Sequence, residues 1–265
     1  MFIINCVQLC SVFLKMKQKF IKFQRLCPFW DIISILLLRL ATVMDRKNEF
    51  TIHPKALGGK PLYCRSNTQD YGTFVSTFWW KYHMPAVELV KPNYIIDLGA
   101  NVGYTAAHLA DTYETATVIA VEMEPANCKL AEKNLRHWKE RAKVVSAAIW
   151  SEDGLQGKIE GLNSDSFTFS EGCSKDDELQ VKTLTMNHLI EMFLIDAIDF
   201  LKIDIEGEEK EILLNSEPDW LTRVQSVNLE IHDRSEMESY IALFEKYNFE
   251  VREHPTHWCS LLAVK

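Results

Sequence analysis

The sequence predicts an α/β fold, a mostly parallel seven-stranded sheet with helices on both faces and a C-terminal antiparallel hairpin. Three observations predict it. Residues 94–105, YIIDLGANVGYT, run from an apolar strand through Asp97 into a Gly-x-Asn-x-Gly turn and then a helix-like segment. A second apolar run, TATVIAVE at 115–122, ends in Glu122. Beyond it, apolar runs alternate with helical segments to the C-terminus, with no internal repeat and no low-complexity stretch.

Composition bounds the function. The 265 residues are 47% hydrophobic and 25% charged, close to globular averages and enough for one full-sized core. A net charge of −8 argues against a broad phosphate-tracking surface, so nucleic acid is not the expected substrate. The seven cysteines are scattered and include no Cys-x-x-Cys pair of the kind that marks a zinc site or a redox dithiol, which points to a reducing cytoplasm.

Three stretches follow: an N-terminal extension at 1–50, a lead-in or cap segment at 51–90, and a ligand-binding domain at 91–265. The extension is rich in Phe, Ile and Leu, with Lys15, Lys17, Lys19, Lys22 and Arg25 between two apolar clusters. No positive charge precedes the apolar run 2–14 and no small-residue cleavage site follows it, unlike a signal peptide. The run 32–40, broken by Arg39 and preceded by Asp31, falls short of the roughly 20 residues that span a bilayer. Helices packed on the domain are expected, with an interfacial helix beside Phe29 and Trp30 as the alternative that brings peripheral membrane contact. Met16 and Met44 are candidate internal starts.

The elements can be justified in order. Segment 54–82 carries Arg65, Asp70 and Tyr71 ahead of Phe78, Trp79 and Trp80, whose expected place is the core, with a wall of the ligand cleft as the alternative. After the strand at 94–98 a helix is expected over 101–112, and another over 126–137. The third strand is read at 143–149. Residues 155–185 alternate like short strands with Gly157, Gly161 and Gly172 as turn residues, an inserted β element. Strands at 200–205 and 224–231 precede the hairpin at 247–265. Parallel crossovers bring these strand ends to one edge, where α/β sheets bind ligands.

The loop at that edge reads as a nucleotide site. Gly99 and Gly103 permit positive φ and close approach of a ligand, and the following helix presents unpaired N–H groups. Glu122 stands where an acid accepts both ribose hydroxyl protons, ahead of Glu124 as the candidate. Asn101 occupies the place of the second glycine in Gly-x-Gly-x-x-Gly and leaves less room for a pyrophosphate, so adenosine without pyrophosphate fits better than a dinucleotide. A purely structural turn and a solvated strand-end carboxylate are the plain alternatives.

On DLGANVGYT (97–105), VEMEPANCKLAEKNL (121–135), AAIWSEDG (147–154), VKTLTMNHLIE (181–191) and LKIDIEGEEKEIL (201–213), the sequence resembles the S-adenosylmethionine-dependent methyltransferases, and within them the FkbM family. The resemblance extends over most of residues 50–265, and KIDIEGEE is its most specific piece. Met123 follows Glu122 where the family often has proline, and Met186 and Asn187 follow Thr185 where it often has Leu-Asp. The resemblance implies a Rossmann-like class I methyltransferase that binds S-adenosylmethionine through Asp97, Gly99, Asn101, Gly103 and Glu122, with adenine near Ala147, Ala148 and Trp150. It also implies O-methylation of a sugar, a glycan or glycolipid precursor, or a secondary metabolite.

Methyl transfer to a hydroxyl needs alignment of the reactants and a proton acceptor. Asp204, Glu206 and His232 are the catalytic candidates. Two residues apart on a continuing strand, Asp204 and Glu206 point to one side, where repulsion raises the pKa of one, and an unperturbed His232 accepts a proton directly. Glu206 and Glu208 could instead supply charge to the helix after Gly207. Asp204, Glu230 and His232 form an alternative metal set, although no diagnostic ligand spacing is present and no metal is expected. Lys202 is expected to pair with one of these acids, and His188, His254 and His257 to lie at the surface. A small-molecule N-methyltransferase, a cofactor-binding regulatory module and a nicotinamide oxidoreductase are the competing functions.

Overall fold

The structure, a computed structural model, describes residues 25–163, 166–171 and 180–265. The apolar run 2–14, Lys15 to Lys22 and Gly172 lie outside the described residues. The chain forms two compact units, Met1–Asn67 and Thr68–Lys265.

In the first unit, helix α1 (Asp31–Val43) accompanies an antiparallel hairpin of β1 (Glu49–Ile52) and β2 (Leu62–Arg65). Asp31 is buried and pairs with the His53 ring at 2.8 Å. Helix α1 buries Ile35, Leu38 and Ala41 but leaves Ile33, Leu36 and Leu40 exposed, alongside Phe29 and Trp30. Among the described residues no helix is long and apolar enough to cross a membrane.

The second unit opens with α2 (Asp70–Val75) and a π-helical turn, Ser76–Trp80. Its sheet uses β3 (Tyr94–Leu98), β4 (Thr117–Glu122), β5 (Ala142–Ser146), β10 (Phe200–Ile203), β11 (Ser226–Glu230), β12 (Glu250–Glu253) and β13 (Ser260–Val264) in the order β12-β13-β11-β10-β3-β4-β5. All neighbours are parallel except β13, which runs antiparallel to β11 and β12 as the expected closing hairpin. Ile95, Ile96, Ile119, Leu201, Ile203, Val227 and Leu229 are inaccessible, which is why these strands read as continuous apolar runs: both sheet faces are covered.

Three of the boundaries that differ from the sequence expectation bear on the site. The run 143–149 splits: β5 ends at Ser146, and β6 (Ala148–Ile149) joins a four-stranded sheet, β6-β9-β7-β8. That sheet is the inserted element, completed by β7 (Gln156–Asn163), β8 (Ser166–Glu171) and β9 (Gln180–Leu184). Helix α3 (Tyr104–Thr112) begins at Tyr104 rather than 101, because Gly103 is left-handed (φ +80°). The strand ending at Ile203 does not continue to 205, since Glu206 and Gly207 take φ of +58° and +106°.

Candidate functional site

Strand order reverses between the parallel neighbours β3 and β10, where the connections leave to opposite sides of the sheet and a crevice opens at the strand ends. A cavity of about 430 Å³ occupies this region. Its wall includes Gly99, Ala100 and Asn101 after β3, Glu122 at the end of β4, Ala147 to Ile149, Phe169, Asp204 to Glu206 after β10, and Glu230 at the end of β11.

The first loop is held from beneath. Gly99 and Ala100 donate to the Val121 carbonyl at 3.0 and 2.9 Å. Gly99 is left-handed (φ +75°), and a Cβ there would stand 1.7 Å from the Asp204 carbonyl oxygen; one at Gly103 would stand 3.1 Å from Ala131. Both glycines therefore serve close approach of neighbouring protein atoms, and Gly99 also lines the cavity. The Asn101 N–H donates to Glu122 Oε2 at 2.8 Å and the Glu124 N–H to Oε1 at 2.9 Å. Burial pushes the Glu122 carboxyl up to about 7, against those hydrogen bonds. Glu124 instead accepts from the Asn127 N–H and caps α4 (Pro125–Asn134).

Of the residues predicted to contact cofactor, Gly99, Asn101, Glu122 and Ala148 line the cavity, while Asp97 and Gly103 stand behind it. Asp97 is fully buried, accepts from the Thr105 hydroxyl, and lies opposite Lys202 in the β3/β10 register. Lys202 Nζ is 3.5 Å from Asp97 and 3.0 Å from Asp204, the expected pairing. Burial opposes the Lys202 charge, yet Asp204 and Asp97 outweigh it, whereas burial lifts Asp97 above the ordinary carboxylate range despite Lys202. The lysine is shared between two acids, so neither alone receives its full effect. Trp150 packs on Phe169 (4.9 Å between centroids) behind the alanines that line the expected adenine position.

Asp204, Glu206 and His232 do converge, but not through strand alternation. The left-handed turn at Glu206 and Gly207 brings Glu206 Oε2 within 3.3 Å and Asp204 Oδ1 within 3.9 Å of His232 Nε2. Glu209, 2% exposed and missed in the sequence reading, organises this turn: its Oε1 accepts from Ile205 N–H and Gly207 N–H and lies 3.0 Å from His232 Nδ1. Burial disfavours a charged ring, but hydrogen bonds to Glu206 and Glu209 prevail and push His232 up to about 11. Both His232 nitrogens are engaged by carboxylates and the ring is absent from the cavity wall, an arrangement that favours its protonated form over the neutral acceptor expected from its free pKa.

The far wall is formed by segment 72–83, through Gly72, Thr73, Ser76, Thr77, Tyr82 and His83 rather than the tryptophans. Phe78 is core, but Trp80 is 49% exposed and stacks on Tyr82. Asn228 fastens this wall by donating to the Tyr82 and Met84 carbonyls. His257, expected at the surface, lines the cavity and stacks on Tyr82 at 4.2 Å. The metal set Asp204, Glu230 and His232 does not assemble. Among the described residues, ligand atoms gather instead as Asp204–Glu206–His232 and as Glu230–His257–Cys259.

The methyltransferase FkbM domain model matches residues 97–251, more than half of the chain and every strand end just described. The chain belongs to the FkbM methyltransferase family. It is an S-adenosylmethionine-dependent methyltransferase with a Rossmann-like fold. No curated protein matches it by sequence. Among solved structures it is similar to a methyltransferase FkbM from Methylobacillus flagellatus KT (14% identity, TM-score 0.44, covering 74% of this chain and 54% of that one). It is also similar to a precorrin-6y C5,15-methyltransferase from Geobacter metallireducens GS-15 (11%, 0.40, 67% and 84%). A third is M. capricolum TrmK in complex with S-adenosylhomocysteine (13%, 0.37, 65% and 62%). This FkbM enzyme spans about half the length of the solved FkbM structure. Its site fits an adenosine ligand: the buried side-chain oxygen Asn101 Oδ1 has no hydrogen-bond partner among the described residues and lies in the cavity-lining loop.

Proposed function

We propose that the enzyme binds S-adenosylmethionine in the 430 Å³ cavity and methylates a hydroxyl oxygen of a sugar, of a glycan or glycolipid precursor, or of a secondary metabolite. The observation that carries the reading is that one cavity holds both the Gly99–Asn101/Glu122 loop and the carboxylates of Asp204 and Glu206. Glu122 takes the ribose, Asn101 and the Gly99 backbone the neighbouring polar atoms, and Ala148 the adenine; Asp97 and Gly103 support that loop from behind. When bound, the sulfonium supplies an activated methyl group. The chain's own residues align the acceptor and take its proton. Asp204 and Glu206 accept it, with His232 and Glu209 positioning Glu206. Glu206→Gln is expected to lower turnover by about 10² or more while leaving stabilisation by S-adenosylhomocysteine in place. Wild-type turnover in that variant would exclude the role.

Cofactor binding is tested by thermal shift with S-adenosylmethionine, S-adenosylhomocysteine and NAD side by side. Stabilisation by the first two alone is the expected result; stabilisation by NAD alone, or by none, overturns the reading. The same titration examines Glu122. Burial pushes its carboxyl up to about 7, and only the ionised form accepts from both ribose hydroxyls without spending a lone pair on its own proton. Affinity is therefore expected to fall as pH drops through this value, and Glu122→Gln to weaken binding and flatten the dependence. An unchanged affinity and pH profile in Glu122→Gln would remove Glu122 from the ribose.

A glycolipid precursor would bring the enzyme to a membrane surface. Exposed Phe29, Trp30, Ile33, Leu36 and Leu40 support peripheral contact through the first unit. Co-sedimentation with anionic vesicles is expected to fall on Trp30→Asp with Leu36→Asp, and equal sedimentation of wild type and double variant would reject this contact.

A further inference from the structure

The methyl-transfer reading leaves one cluster at the cavity unused. Glu230 ends β11, facing Ser260 of β13 in the antiparallel register, and the Ile231 N–H donates to the Cys259 carbonyl at 2.7 Å. This pairing brings together three side chains from the strand end and the turn before β13. Cys259 Sγ is 3.7 Å from Glu230 Oε1 and 3.7 and 3.8 Å from the two His257 nitrogens, and His257 Nε2 is 3.9 Å from Glu230 Oε1.

Thiol, imidazole and carboxylate are the three donor types that zinc prefers. In a tetrahedral site with bonds of about 2.0–2.3 Å, donor atoms stand roughly 3.3–3.7 Å apart. The Sγ–Oε1, Sγ–Nε2 and Nε2–Oε1 separations are within a few tenths of an ångström of that range, and Sγ, nearly equidistant from the two ring nitrogens, has to turn toward Nε2 to share an ion with it. His257 Nδ1 also meets the Ser260 hydroxyl at 2.6 Å, a contact that fixes the ring and leaves Nε2 for an ion. We propose that Glu230, His257 and Cys259 form a three-ligand site for a zinc-class divalent cation, with the fourth position open to the cavity.

The donor set excludes magnesium and calcium, which take all-oxygen shells. The neighbouring group Asp204–Glu206–His232 is less suited: Asp204 already binds the Lys202 ammonium, and both His232 nitrogens are occupied by Glu206 and Glu209. Binding replaces the Cys259 thiol proton by the metal and releases that proton to solvent. Glu230 and His257 both line the cavity, so the open position meets whatever occupies it. If the acceptor is a hydroxyl, as proposed above, the ion would polarise its oxygen; that consequence rests on the acceptor reading, whereas metal binding does not.

The test uses the full chain, stripped with chelator and then dialysed against zinc or cobalt(II). About one equivalent of zinc is expected, with a sulfur-to-cobalt charge-transfer absorption in the cobalt form. Cys259→Ala should abolish that absorption, and His257→Ala should weaken zinc binding more than tenfold. Stabilisation by S-adenosylhomocysteine, read on the same samples, reports that the cofactor half remains folded; where Cys259→Ala loses it, Cys259→Ser keeps the side-chain volume and decides. Absence of stoichiometric zinc, or unchanged cobalt absorption in a folded Cys259 variant, overturns the site. Loss of the S-adenosylhomocysteine response in metal-loaded wild type would count against the methyl-transfer reading alone.

Discussion

Gly99→Ala is expected to cost on the order of 4 kcal/mol of stability and to abolish stabilisation by S-adenosylhomocysteine. Two effects add at this position. An L-residue in the left-handed region costs about 1–2 kcal/mol, and Gly99 has φ +75°. The new methyl would also lie 1.7 Å from the Asp204 carbonyl oxygen and 2.8 Å from its carbon. Neither neighbour is the end of a flexible side chain. Relief requires β3 and β10 to part just where Asp204 N–H donates to the Leu98 carbonyl at 3.2 Å, and the cofactor loop moves with them. Gly154→Ala is the control, because Gly154 has the same φ of +75° with nothing within 4 Å of its missing Cβ. Chemical denaturation of both variants separates steric overlap from backbone strain. Equal losses would show that the contact with Asp204 is readily relieved and that Gly99 matters only for its φ.

Lys202→Met is expected to lower stability by about 3–5 kcal/mol, because it removes one partner of a buried ion set and leaves the others uncompensated. Asp97 has 0% side-chain exposure and Asp204 26%, with Lys202 Nζ 3.5 and 3.0 Å from them. The sign with pH follows from Asp97. Burial already raises its folded-state pKa above the ordinary value, and loss of the lysine raises it further. The folded variant then holds a proton that the unfolded chain has released, so its stability falls as pH rises above the unfolded carboxyl value near 4. The deficit relative to wild type should be smaller at pH 5 than at pH 8. Denaturation midpoints at the two values give the answer, and a deficit independent of pH would mean that lost packing of the lysine stem, not stranded charge, sets the cost.

Much of the framework was legible because it depends on local pattern. The runs at 94–98 and 115–122 are apolar at consecutive positions (95–96 and 118–121), which a strand covered on both faces tolerates, and the two glycines around Asn101 announce a left-handed turn. Other features were hidden because the sequence is consistent with more than one arrangement. Ala147, Ala148 and Ile149 are apolar whether they extend β5 or cross to the smaller sheet, and chain direction after Ser146 decides between them. In the run from Glu206 to Glu209, three acids compete for one buried place. The turn at Glu206 and Gly207 gives it to Glu209, and with it the contact that charges His232. Trp79 and Trp80 stand out by size, while the cavity wall is formed by Gly72, Thr73, Ser76 and Thr77 before them and by Tyr82 and His83 after them.

The α/β class, the Asn101 loop with Glu122 after it, and the family to which the chain belongs are all written in contiguous residues with local steric or hydrophobic meaning. Which groups face the cavity, and in what electrostatic surroundings, follows instead from long-range packing. Asp97 and Lys202 are partners because β3 and β10 are adjacent in register, and Glu230, His257 and Cys259 meet because β11 and β13 are. Their pKa values and ligand geometry depend on burial and on distances of a few ångströms between residues far apart in the chain, which no local pattern specifies.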